Sequence, residues 1–119
     1  MQYMLMFYET AADSACRNNE HAQTYWAGWT AYVGALHQSG IVLSGNGLEA
    51  PAMATTLRVR DDKRQVQDGP FADTKEQLGG YFIIEVADID AALEWASRAP
   101  CATTGGVEVR PVLPPPPAP

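Results

Sequence analysis

Apolar residues recur along the chain at a period of two in some stretches and at three to four in others, and the switches between these periods predict the order of elements. From Gln2 to Tyr8 both alternating sets are apolar: Tyr3, Leu5 and Phe7 point one way, and Met4, Met6 and Tyr8 the other. A strand of this kind is expected to be covered on both faces. After a polar loop, Ala22, Tyr25, Trp26, Trp29, Tyr32, Val33 and Leu36 repeat at three- and four-residue steps, predicting an amphipathic helix with an aromatic stripe that ends at Gly40. Ile41, Val42 and Leu43 begin a second strand, which runs into a turn or bulge signal at Ser44-Gly45-Asn46-Gly47.

Thr55, Leu57 and Val59 alternate with Thr56, Arg58 and Arg60, so the next strand has one apolar side. A turn at Asp61-Asp62-Lys63 joins it to a short strand through Gln65-Val66-Gln67, completing a hairpin. Tyr81 to Val86 is again apolar on nearly both sides. Asp88 suits an N-cap for a second helix, with Asp90 near its positive end and Ile89, Leu93 and Ala96 as its inner stripe; Pro100 stops it. Val107 to Val112 is the last strand, with Glu108 and Arg110 on its polar side.

The resulting order is strand, helix, strand, an extra hairpin, strand, helix, strand: two split βαβ units in an α+β, ferredoxin-like arrangement. In that topology the two doubly apolar strands, Tyr3–Tyr8 and Tyr81–Val86, lie in the middle of the sheet. Helices cover only one face, so the Met4 and Met6 side is expected to meet a second copy in a homodimer.

Between the hairpin and the Tyr81 strand lies Asp68-Gly69-Pro70-Phe71-Ala72-Asp73-Thr74-Lys75-Glu76-Gln77-Leu78-Gly79-Gly80-Tyr81. Asp68-Gly69-Pro70 has turn chemistry: a self-bonding carboxylate, a residue free to take positive φ, and one with φ preset. Asp73 or Thr74 suits the cap of a short helical turn through Lys75-Glu76-Gln77, which Gly79-Gly80 would end. This segment resembles the signature of the YCII-related proteins in their DGPF branch. The resemblance extends through Gln2-Tyr3-Met4-Leu5, Thr55 to Arg60, Ala91-Leu93-Glu94-Trp95-Ala96 and Val107 to Val112. It implies a dimeric α+β barrel related in architecture to muconolactone isomerases. It also implies an association with extracytoplasmic-function sigma factors, and in some members the dehalogenation of lactone-like ring products.

Length and charge narrow the field of partners. The chain has 119 residues, enough for one domain over residues 1–113, followed by a proline-rich tail, Pro114 to Pro119, expected to be disordered or to dock in an aromatic groove. A net charge of −6 with no run of Lys or Arg argues against nucleic acid and anionic membranes as partners, leaving a small-molecule ligand or a protein. The first apolar run is too short for a membrane span or a signal segment, and a cytoplasmic protein is expected. Cys16 and Cys101 lack the close Cys or His spacing of a zinc site, so both are expected to be free thiols, with no metal and no cofactor.

Acid–base chemistry near neutral pH points first to the two histidines, His21 and His37, one on each border of the aromatic stripe. The solvated helix edge is the competing account of both, and for His37 so is its position near the helix's negative end. In YCII-like proteins a His–Asp pair is the proposed centre, and the aspartate carries over onto Asp68, while either histidine or neither faces it. Otherwise Asp68 is an Asx-turn residue bonding the Phe71 region. Arg58, Arg60, Lys75 and Arg110 are candidates for gripping an anion. Trp26 and Tyr81, with Tyr25, Trp29 and Tyr32, are candidates for an apolar ligand wall, though aromatic residues at helical spacing more often form core. Two functions remain: a cofactor-free enzyme doing acid–base chemistry on an acidic or cyclic small molecule, or a non-catalytic ligand-binding or signalling module tied to sigma-factor regulation.

Overall fold

The computed structural model describes residues 1–118; Pro119, the end of the proline tail, lies outside the described residues. In chain order the elements are β1 (Gln2–Thr10), α1 (Ala11–Ala15), α2 (Ala22–Gln38), β2 (Val42–Gly47), a 3-10 turn (Pro51–Met53), β3 (Thr55–Arg60), β4 (Lys63–Asp68), β5 (Glu76–Glu85), α3 (Ile89–Ser97) and β6 (Gly106–Pro111). Four strands form an antiparallel sheet in the order β2-β5-β1-β6, with α2 linking β1 to β2 and α3 linking β5 to β6. That is the ferredoxin-like pattern, with β1 and β5 in the middle as the doubly apolar strands require.

Side-chain alternation along β1 separates the two faces. Tyr3, Leu5 and Phe7 are buried with Leu36 of α2, Ile84 of β5, and Ala92 and Ala96 of α3. Phe7 meets Trp29 and Tyr32 edge-on at centroid distances of 5.1 and 5.9 Å, the favoured geometry for aromatic pairs. Tyr32 also donates its hydroxyl to the Trp95 carbonyl at 2.9 Å, tying α2 to α3. On the other face Met4 lies opposite Ile83 and Met6 opposite Tyr81, and both methionines are only half-buried.

The second long helix starts as expected, Asp88 accepting the Ala91 N–H at 2.9 Å, but presents a different stripe. Ala92 and Ala96 face the sheet, while Ile89 and Leu93 remain 41% and 48% exposed. Small residues at the contact let the helix lie close to the strands, which outweighs burial of the larger side chains.

Tertiary pairing also overrides two local signals. No helical turn forms at Lys75-Glu76-Gln77: β5 already begins at Glu76, because β1 continues to Thr10 and offers Glu76 a ladder partner. Thr74 instead donates its hydroxyl to the Glu76 carbonyl at 2.6 Å, and Gln77 Nε2 donates to the Ala72 and Thr74 carbonyls. Gly79-Gly80 lies inside the strand, where the register passes from Phe7↔Gly80 to Tyr8↔Leu78 and leaves Gly79 as a bulge. At Ser44 to Gly47, read as a turn or bulge, the chain does not turn: β2 continues through it, with an irregularity in its pairing between Val42 and Ser44.

β3 and β4 pair only with each other, in a separate two-stranded sheet. Asp61 and Asp62, at φ 52° and 61°, make the two-residue turn whose twist suits a hairpin. Its base is closed by the Gly69 N–H on the Ala54 carbonyl at 2.7 Å and by the Thr56 hydroxyl on the Gly69 carbonyl at 2.8 Å. Every residue of β4 is exposed, and Leu57, Val59 and Val66 are each more than half exposed. The ribbon is an arm, not a layer. The radius of gyration is 16.3 Å, against about 13.5 Å for a compact domain of this length. No helix among the described residues is long and apolar enough to cross a membrane.

Candidate functional site

Glu9 continues the inward-facing series Tyr3, Leu5, Phe7, and places a carboxylate where the alternation calls for an apolar side chain. It is only 4% exposed. A buried charge is tolerable only when paired and hydrogen-bonded, and the chain after β1 provides both. Thr10 caps α1 by accepting the Asp13 N–H at 3.1 Å; the short helix then turns the chain so that Arg17 comes back over the strand end. Arg17 Nη2 lies 3.0 Å from Glu9 Oε1, and Tyr25, from the first turns of α2, donates its hydroxyl to Glu9 Oε2 at 2.6 Å.

The guanidinium binds the surroundings together. Its Nε donates to the Tyr25 hydroxyl at 3.0 Å, Nη1 to the Leu48 carbonyl at 2.6 Å, and Nη2 to the Gly79 carbonyl at 3.1 Å. Trp26 donates its indole N–H to the Arg17 carbonyl at 3.1 Å. Burial and the hydrogen bond to Glu9 push the Tyr25 phenol up to about 12, so it stays a donor throughout the physiological range. Burial acts to lower the Arg17 pKa, but the hydrogen bonds to Tyr25 and Glu9 and the negative charge of Glu9 outweigh it, and the net shift is upward. The bulge at Gly79 makes the room: a Cβ there would fall 2.6 Å from Glu9 Oε1 and 2.9 Å from Arg17 Nη2.

This cluster closes one end of a cavity of about 690 Å³ between α2 and the β2–β5 edge. Phe7, Tyr25, Trp26, Trp29, Val33 and Phe82 contribute apolar wall, and His37 and Glu49 are polar members of the lining. The space exists because helix-facing positions on the edge strand β2 and its neighbour β5 lack side chains. Gly45 is paired with Phe82, whose ring occupies the place of the missing Cβ, and Gly47 is paired with Gly80. A Cβ on Gly47 would meet nothing within 4 Å.

Of the residues singled out from sequence, Trp26, His37 and Tyr81, together with Tyr25 and Trp29, line this cavity. Trp26 is a half-exposed wall, and His37 packs edge-on against Phe82 with centroids 6.0 Å apart. Tyr81 reaches the cavity edge, but its hydroxyl accepts from Asn46 Nδ2 at 3.1 Å. His21 lies exposed before α2, its Nε2 3.5 Å from Glu20 Oε1. Asp68 ends β4 opposite Thr55, and its carboxylate has no hydrogen bond or ion pair among the described residues; it bonds neither histidine nor the Phe71 region. Arg58 stacks over Phe71 at 4.8 Å, Arg60 donates to the Val59 carbonyl at 3.0 Å, Lys75 is exposed, and Arg110 pairs with Glu108. None of these lines the cavity. Glu9, Arg17 and the glycine floor were not anticipated; a carboxylate at the fourth inward position of an otherwise apolar strand was the signal that marked them.

The YCII-related domain matches residues 1–115. An uncharacterised protein of Rhizobium meliloti (strain 1021) is 48% identical over 61 residues, which are 50% of this chain and 49% of that protein, so the match spans about half the length of the curated relative. Among solved structures, 5-chloro-2-hydroxyhydroquinone dehydrochlorinase from Burkholderia phenoliruptrix AC1100, in complex with 2,5-dihydroxybenzoquinone, superposes with a TM-score of 0.55. That superposition covers 95% of this chain and 94% of the other at 16% sequence identity, and it establishes a shared fold. With the family's domain matched over nearly its whole length, the chain belongs to the YCII-related family.

Proposed function

We propose that this protein is a small enzyme that binds a cyclic small molecule in the aromatic cavity and moves a proton on it without a resident cofactor. The observation that carries the reading is the cavity itself: apolar aromatic walls, a buried Glu9–Arg17–Tyr25 cluster at one end, and His37 in the lining. Pockets of this size with few, convergent polar groups are the usual seat of small ligands. Trp26 and Trp29 offer faces to a ring, and His37 is the lining side chain of the type that serves as a general acid or base. The structural neighbour's bound 2,5-dihydroxybenzoquinone supports a planar ring as the ligand shape.

Asp68, Arg58, Arg60 and Lys75 enter this reading through a second copy of the chain. The half-buried face of Met4, Met6, Tyr8 and Ile83 is the proposed homodimer surface, closing an α+β barrel, and the two-stranded arm, with Arg58 and Arg60 along β3 and Asp68 at its base, is the part proposed to meet the partner. His21, exposed at the start of α2, belongs to the same set of candidates.

The test is a screen of the purified protein against lactones and hydroxylated rings, following binding by tryptophan fluorescence and turnover by absorbance. Turnover is expected, lost in His37→Ala with the far-ultraviolet circular dichroism unchanged. Binding without turnover for every compound would make the protein a ligand-binding module. Absence of any ring binding would remove the cavity as the site.

A further inference from the structure

The polar end of the cavity has unused hydrogen-bonding capacity of two kinds. Four of the five guanidinium N–H groups of Arg17 are committed, to Tyr25, Leu48, Glu9 and Gly79, which leaves one on Nη1. Each Glu9 oxygen accepts one bond, from Arg17 or from Tyr25, and retains a lone pair. Tyr25 has spent its hydrogen on Glu9. The end of the cavity therefore offers acceptors on Glu9 beside a donor on Arg17.

Charge decides which ligands suit it. Arg17 is the only Lys or Arg in the lining and is already neutralised by Glu9, while Glu49 adds a negative charge. An incoming carboxylate would meet no uncompensated cation and would face two carboxylates, with nothing to offset its desolvation. An ammonium group could donate to Glu9 but would leave the Arg17 N–H unanswered. A group that both donates and accepts, and carries no charge, satisfies both.

Resting on the cavity reading above, we propose that the site recognises a neutral planar ring with two adjacent oxygens, one hydroxyl donating to Glu9 and the neighbouring oxygen accepting from Arg17. The Gly47 and Gly80 positions leave the strand backbone without side chains on that side, the Phe82 ring covers Gly45, and Trp26 and Trp29 supply the aromatic wall, so the space suits a flat ligand.

The test compares three rings of equal size by calorimetric titration: catechol, benzoate and benzylamine. Catechol is expected to bind at least about tenfold tighter than either charged ring, a difference of about 1.4 kcal/mol, and Glu9→Gln is expected to erase that preference. Equal or tighter binding of benzoate or benzylamine overturns this inference and leaves the cavity reading intact. Failure of all three to bind overturns both. Should Glu9→Gln not fold, Gly47→Val, which adds side chain to the cavity floor, serves instead: catechol binding that persists in it places the ligand elsewhere and overturns the inference.

Discussion

Gly79 lies so close to Glu9 that a single methyl group on it would sit 2.6 Å from the Glu9 carboxylate oxygen. The contact cannot be relieved by a simple swing of Glu9, because that carboxylate is held by Arg17 and Tyr25. Gly79→Ala is therefore expected to destabilise the protein by about 1–3 kcal/mol, as overpacking does elsewhere. Urea unfolding measures the loss. A spectroscopic titration of the phenols supplies the local readout, since Tyr25 freed from Glu9 should ionise closer to the ordinary tyrosine value. A variant with wild-type stability and an unmoved Tyr25 would show that the bulge does not hold the cluster.

Gly47 gives the opposite result in the same sheet. A Cβ there meets no atom within 4 Å and points to the helix-facing side. Gly47→Val is expected to leave the unfolding midpoint unchanged or slightly raised, since valine favours strands and glycine does not. It should weaken any ring ligand by about tenfold or more, roughly 1.4 kcal/mol. Fluorescence titration of the folded variant checks both halves, and undiminished binding would put the ligand outside the cavity.

Alkaline pH should destabilise the protein through several buried groups acting with the same sign. Burial raises Tyr25 to about 12 and raises Tyr32 further, so each phenol holds its proton more tightly in the folded state than in the unfolded chain. The stability they contribute is complete below the ordinary value of 10.0 and is lost as pH climbs through the folded values. Denaturation curves between neutrality and pH 12 should show stability beginning to fall above about pH 9, where the Cys101 thiol, raised from 9.0 to about 11, contributes, and falling more steeply above 10.0 as the two phenols join it. Tyr25→Phe should flatten part of that decline.

The two thiols should differ in reactivity. Burial pushes the Cys101 thiol up to about 11 and leaves the residue 2% exposed, whereas Cys16 is half-buried and donates its thiol hydrogen to the Ala12 carbonyl. Alkylation under native conditions should label Cys16 first, with Cys101 slower by about a hundredfold or more because it must wait for opening of the structure. Mass spectrometry of the labelled peptides reads the order directly.

The architecture was legible because its signals are periodic. Tyr3, Leu5 and Phe7 on one phase and Met4, Met6 and Tyr8 on the other announced a central strand, and Tyr25 through Leu36 announced the helix above it. Where a local signal competed with the ladder, the ladder won: Lys75-Glu76-Gln77 looked like a helical turn, but β1 runs on to Thr10 and recruits Glu76 as a strand residue. The site was less legible because it is assembled from residues far apart in the chain. Nothing in the spacing of Glu9, Arg17, Tyr25 and Gly79 declares that they meet; a bulge and a five-residue helix bring them together. Glycines that read as punctuation, Gly45 and Gly47, instead shape a floor by having no side chain.

The unsupported ribbon of β3 and β4 has a practical corollary. A two-stranded sheet without a layer beneath it is marginal in water, so in an isolated chain this segment should be the first to yield to a protease. Trypsin has Arg58, Arg60, Lys63 and Arg64 to cut there. The rate of nicking at those four bonds, followed against protein concentration, becomes a gauge of whether the ribbon has found something to lie on.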